Sequence, residues 1–215
     1  MYIELLHIKK IYYFLAVVVL SIFFTYYINA VFVSKSVLFH TYAESLTDER
    51  IGELFNISRS YTFISFIILP FIILFRVFYN AAAVSTATLL ENQGQYKFDD
   101  NFNICLKAEL AFILMSIGKI IAFILFKKVT VLTDIGYMPL SALAFFNADT
   151  LPKWSLFALQ SVNVWELLYC YIGAHLFAKN YGISVGKSIR LFVLPYLTGL
   201  LIVVLIVTFL TLQFA

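Results

Sequence analysis

Charge is scarce in this sequence. Only 13% of its 215 residues are Asp, Glu, Lys or Arg, against about a quarter in soluble domains. The chain is 62% hydrophobic with a mean hydropathy of +0.93, and so few charges cannot cover that much apolar surface in water. The formal net charge of +3 is too small and too scattered for a nucleic-acid footprint. Cys105 and Cys170 are the whole cysteine complement. Two such residues exclude a disulfide framework and offer no metal spacing, and each reads as a small hydrophobe in an apolar helix. The sequence also lacks GxSxG, HExxH and paired-aspartate signatures, so hydrolytic chemistry has no candidates and no enzyme is expected. "GISVGKS", 182–188, imitates a phosphate-binding loop. It has three residues between its glycines where that motif needs four, and no strand precedes it. Neither nucleotide nor metal nor any other cofactor is implied.

What the sequence does have is long apolar runs. A membrane-spanning helix needs roughly 20 apolar residues at about 1.5 Å rise each. Five stretches meet that length, at about 11–33, 61–83, 105–126, 156–178 and 191–212. The first is too long for a signal-peptide core and ends without a small-x-small site, so it reads as an uncleaved span. A polar loop with room for a short amphipathic helix is expected over 34–60, and another loop over 91–103. The second apolar run goes on to residue 90, so its helix is expected to leave the membrane near Ala83 and continue into water. The apolar piece 138–146 is too short to cross and reads as interfacial or re-entrant. The fold class expected is therefore all-α: one polytopic membrane domain over 1–215 with five transmembrane helices. Positive residues are almost evenly divided between the two sides. The Lys9–Lys10 pair before the first span favours a cytoplasmic N-terminus and, with five spans, an external C-terminus.

Polar residues inside these runs are the candidate functional groups, because a charge at mid-bilayer costs about 2.5–3.5 kcal/mol even on insertion scales. Glu166 is the eleventh residue of the expected fourth span. Measured from a shared external end, Lys119 lies about 11 Å deep and Glu166 about 15 Å, and their side chains lean toward a common depth. An ion pair between them is expected. Arg76 lies in the cytoplasmic half, where it reaches Glu109 or snorkels to headgroups, with snorkelling favoured. His175 is nine positions beyond Glu166, on the opposite helix face, and reads as an interface residue. Ser184 or Ser188 is placed to cap the last helix. Ala82 and Ala83, Gly173 and Ala174, and Gly199 are small enough to let helices approach closely.

The stretch "NVWELLYCYIGAHLFAKNYGISVGKSIRLFVLPY" presents, in order, a polar-aromatic helix entry, Gly173 within the helix, a "YGIS" turn and a Lys-initiated last helix with a proline. This order, within 98–199, resembles the Yip1-domain membrane proteins in their short bacterial form. The resemblance implies five transmembrane helices, a cytoplasmic N-terminus and no established catalytic chemistry. The chain departs from it by lacking a long soluble N-terminal region and by placing Glu166 in a span, so no site residue is carried over.

Two functions fit these residues. One is a non-enzymatic five-span accessory or scaffold subunit in a bacterial cytoplasmic membrane, touching lipid and another integral membrane protein or a second copy of itself. The other is a transporter or permease component that uses Glu166 and Lys119 for proton or ion coupling.

Overall fold

The computed structural model describes residues 9–91 and 96–214. The flank 1–8 of the first expected span, and 92–95 within the expected loop, lie outside them. Among the described residues the chain is mostly helical, with no strand and one isolated antiparallel bridge between Ser141 and Asn163. The helices are α1 Lys10–Phe32, α2 Lys35–Tyr42, α3 Asp48–Leu90, α4 Phe98–Ala108, α5 Leu110–Leu125, α6 Leu132–Ile135, α7 Lys153–Ser161, α8 Val164–Tyr181, α9 Val185–Ser188 and α10 Leu194–Phe214. Four continuous or near-continuous units are long and apolar enough to cross a membrane: Lys10–Phe32, Asp48–Leu90, Phe98–Leu125 and Val185–Phe214.

The boundaries differ from expectation in ways that follow from local chemistry. Helix α3 begins at Asp48, well before the expected span, because Asp48 and Glu49 place two acids in its first turn. The supposed polar loop over 34–60 is thus α2 plus the opening turns of α3. Ser34 caps α2 by accepting a hydrogen bond from the Val37 amide at 3.3 Å. Pro70 lies inside α3 without ending it, as membrane helices tolerate. Beyond Ala83 the helix continues unbroken to Leu90, with Val84 and Thr88 buried and Leu89 and Leu90 exposed, and α4 meets this end of α3 through Asn101 and Ser85.

The loop expected over 91–103 is shorter, since α4 starts at Phe98. The third span is jointed. Glu109 ends α4 and opens α5, and its amide bonds the Leu106 carbonyl at 3.3 Å rather than continuing the α-helical ladder.

The expected fourth span, 156–178, is two helices. The chain leaves α7 at Ser161, runs extended through Val162 and Asn163, and restarts as α8. The backbone groups freed by this break are paired by the segment that was too short to cross. The Ala142 amide bonds the Val162 carbonyl at 2.8 Å, and the Val164 amide bonds the Leu140 carbonyl at 3.1 Å. Leu140 adopts φ 60° to do so, a left-handed conformation that costs a leucine of order 1–3 kcal/mol. Gln160 and Trp165 also donate to this segment, at the carbonyls of Gly136 and Pro139.

Helix α8 ends at Gly182, whose φ of 63° suits a glycine C-cap. Ser184 then caps the next helix through the Lys187 amide, whereas Ser188 is buried and donates to the Ala174 carbonyl at 2.5 Å. The final unit starts at Val185, earlier than expected, and contains a π-helical turn over Ile189–Val193.

Candidate functional site

The buried core is built by α3, α4, α5, α8 and the α9–α10 unit, with Val17 and Val18 of α1 at its edge, and its centre is polar. Arg76 projects from α3. Its guanidinium pairs with both oxygens of Glu109, through Nε at 3.1 Å and through Nη2. The Glu109 side chain is 1% exposed. The Arg76 guanidinium also lies 4.0 Å from the centre of the Phe112 ring, so one cation is held by a carboxylate and an aromatic face together. The expected snorkelling of Arg76 is corrected: a buried carboxylate within bidentate reach is a better partner than headgroups farther along the helix.

Glu166 enters from α8 and accepts a hydrogen bond from the Tyr196 hydroxyl of α10. It lies within electrostatic reach of both Arg76 and Glu109. The Tyr169 and Tyr196 rings stack at 4.5 Å, and Asn80 donates to the Tyr169 hydroxyl at 3.2 Å. Cys105 and Cys170 are buried free thiols bordering this group.

The position of Glu166 explains why a helix accepts it. Because α7 and α8 are separate, Glu166 is not central to a long span. It is in the first turn of α8, and its own amide bonds the side chain of the N-cap Asn163 at 2.9 Å. A helix N-terminus carries roughly half a positive charge, which favours a carboxylate there. Glu109 stands at the start of α5 as its N-cap residue, at the α4–α5 joint. Both acids therefore sit at helix starts created by breaks. Trp165 lies against Gly118, at mid-length of α5, seven residues or about 11 Å from the end of that helix. The α7–α8 break is thus well inside the length of the neighbouring helix. Sequence periodicity could not reveal it, but the polar pair Ser161 and Asn163 was its one visible trace.

The expected Lys119–Glu166 pair does not form. Lys119 has no carboxylate within ion-pair distance among the described residues, and its ammonium lies 5.6 Å from the Phe123 ring centre. With the break, Glu166 turns toward α10 instead. His175 is exposed and stacked beside Tyr171, with centroids 6.3 Å apart, away from the polar centre. Among the small residues, a Cβ on Gly173 would come within 2.1 Å of the Phe192 ring, and one on Gly199 within 3.0 Å of Tyr79. Tyr79 also donates to the Gly199 carbonyl at 3.2 Å. Ala174 is buried, while Ala82 and Ala83 are half-buried and the fully buried alanine of that run is Ala81. Sequence reading missed Tyr196, Tyr169 and Asn80, because aromatic and amide residues in an apolar run carry no positional signal of their own.

No cluster of His, Cys, Asp and Glu suited to a metal ion occurs among the described residues. No family model matches the chain, and no curated protein or solved structure is significantly similar to it.

Proposed function

We propose that this chain is a five-span protein of a bacterial cytoplasmic membrane, with the broken α7–α8 pair as its fourth crossing, and that it couples a proton or small cation to movement across the bilayer. The N-terminus would be cytoplasmic and the C-terminus external. A likeness to short Yip1-domain proteins belongs to the same proposal and rests on the order of features in 98–199.

The observation that carries the reading is a charge count. One guanidinium, Arg76, faces two carboxylates, Glu109 and Glu166, and the other buried cation, Lys107, has Lys10 rather than either acid as its charged neighbour. The pair Arg76–Glu109 is self-sufficient, which leaves Glu166 with only a hydroxyl partner. Such a group takes up a proton or small cation and releases it again. Ionisable residues in membrane segments mark relays and ion paths more often than ornament. Helices broken within the bilayer are how transporters present helix ends to a site, and π turns recur at functional positions. No covalent chemistry is proposed, and the roles are divided: Glu166 binds, Tyr196 orients it, and the Arg76–Glu109 pair sets the local field. Lys119 has no part in it.

Reconstituted vesicles carrying an entrapped pH dye test this under an imposed potassium diffusion potential. The wild type moves protons, and Glu166→Gln slows the movement by at least about tenfold at equal incorporation, the size expected when a relay's proton-binding group is removed. Equal rates in the two proteins overturn the proposal.

The second reading, an accessory subunit, is favoured by a different observation. Helices α1 and α3 present many large apolar residues outward, among them Phe23, Phe63, Phe71 and Phe75, on helices whose apolar windows are only 11% buried. Another integral membrane protein or a second copy would cover such a face. Copurification from mild detergent tests this, and a lone monomer counts against it.

A further inference from the structure

A groove of about 500 Å³ lies between the last turns of α1 and the first half of α3, away from the carboxylates. That volume falls in the range of about 300–1,000 Å³ typical of small-molecule sites. Its lining changes character along its length. The floor is the Tyr26–Phe66 ring pair, with centroids 6.2 Å apart, and Phe63 continues the aromatic wall. Asn29 and Thr62 bring the first polar groups beyond this floor, and at Ser58, eight residues or about 12 Å back along α3 from Phe66, Ser34 and Lys35 join the lining where α1 gives way to α2.

Among the described residues Lys35 is the one cation lining this groove, and no acid lines it. Its ammonium lies over the α3 backbone, 3.9 Å from where a Cβ on Gly52 would be. The neighbouring Glu53 is engaged by Arg50 at 3.0 Å, and among the described residues Lys35 has no carboxylate partner. A groove that is apolar at membrane depth and singly positive at the level of helix exit is complementary to one kind of molecule.

We infer that it holds one anionic phospholipid of the surrounding leaflet, with its phosphodiester against Lys35 and one acyl chain running past Phe63 to the Tyr26–Phe66 floor. A single lysine calls for a single negative charge, as in phosphatidylglycerol. The inference rests on the chain being membrane-embedded but not on the proton-coupling role, so each can fail alone.

Native mass spectrometry of the detergent-purified protein, equilibrated with equal amounts of phosphatidylglycerol and phosphatidylcholine of the same chains, tests it. One lysine near a lipid phosphate contributes roughly fivefold in affinity. The wild type is expected to retain phosphatidylglycerol about fivefold over phosphatidylcholine. Lys35→Gln, a surface change that leaves the core untouched, brings the ratio to about one. Ala30→Trp, which fills the groove from α1, removes retention of both lipids. An undiminished preference in Lys35→Gln overturns the inference. So does retention that Ala30→Trp leaves intact, displacement of the lipid by soluble glycerol phosphate, or a dimer that covers the groove and carries no lipid.

Discussion

The molecule has two unlike sides. On one, α1 and the first half of α3 are unbroken, uncharged over long stretches and mostly exposed. On the other, the α4–α5 unit, α8 and the α9–α10 unit are jointed, carry the ionisable groups and hold most of the core. The apolar window of Phe98–Leu125 is 39% buried, against 11% for each of α1 and α3. The contrast teaches what breaks are for in this fold. A continuous helix satisfies its own backbone and can face lipid anywhere. A broken one exposes amides, and it remains stable only where other polar groups meet them. The jointed side therefore gathers its carboxylates at helix starts, and the unbroken side has no acid in α1 and none in α3 beyond Glu53.

The largest effect is expected at the centre of the jointed side. Glu109→Leu strands the Arg76 guanidinium and should destabilise the protein in detergent by about 3–5 kcal/mol. Adding Arg76→Leu should recover much of that loss. Thermal unfolding of the single and double variants measures both. If Glu109→Leu were harmless, the two sides would not differ in the way described.

Packing comes next. Gly173→Ala drives a methyl into the buried Phe192 ring and should cost about 1–3 kcal/mol. Phe192→Leu in the same chain should restore part of it. An alanine tolerated without change would show that α8 and the π turn are loosely apposed.

Tyr196→Phe removes the hydroxyl from Glu166 and should cost about 1–3 kcal/mol, read as a fall in the unfolding midpoint that Glu166→Gln in the same chain partly reverses.

A smaller effect is expected in the connection after α5. Burial works against ionisation of Asp134, but the amides of Thr130 and Val131 and the ammonium of Lys127 outweigh it and hold its carboxyl at about 2. This group's folded pKa is depressed, so its stabilising contribution is complete above the unfolded value of about 3.9 and is lost as pH falls through about 2. The thermal midpoint of the wild type should therefore drop between about pH 4 and pH 2, and Asp134→Asn should flatten that part of the profile.

Lys119→Gln should cause the smallest loss, none or a gain, because the half-buried ammonium it removes lies only at long range from an aromatic ring. A large loss would revive an ion pair with Glu166.

The sequence disclosed the helical class and the long apolar runs, four of which are helices long and apolar enough to cross a membrane. It disclosed Arg76, Glu109 and Glu166 as residues to watch, since charge in such runs is conspicuous. It also marked 138–146 as a piece that does not cross. It did not disclose who meets whom. A break three residues before Glu166 changes that residue from mid-span to first turn and redirects it from Lys119 to Tyr196. The break leaves no mark in hydropathy because Val162 and Val164 flank Asn163 with apolar side chains. Its stability comes from Leu140 and Ala142, 24 and 20 residues from the groups they bond. Local pattern is blind to such a partner.

The most direct test of the account is the depth of the start of α8. Leu167 is 66% exposed and adjacent to Glu166. A spin label at Leu167→Cys, in a chain carrying Cys105→Ala and Cys170→Ala and reconstituted in bilayers, reports that depth by collision with oxygen or with a water-soluble nickel chelate. The account predicts frequent collision with oxygen and protection from nickel, unlike a label at Lys128. Nickel access at position 167 equal to that at 128 would place the break in water and contradict it.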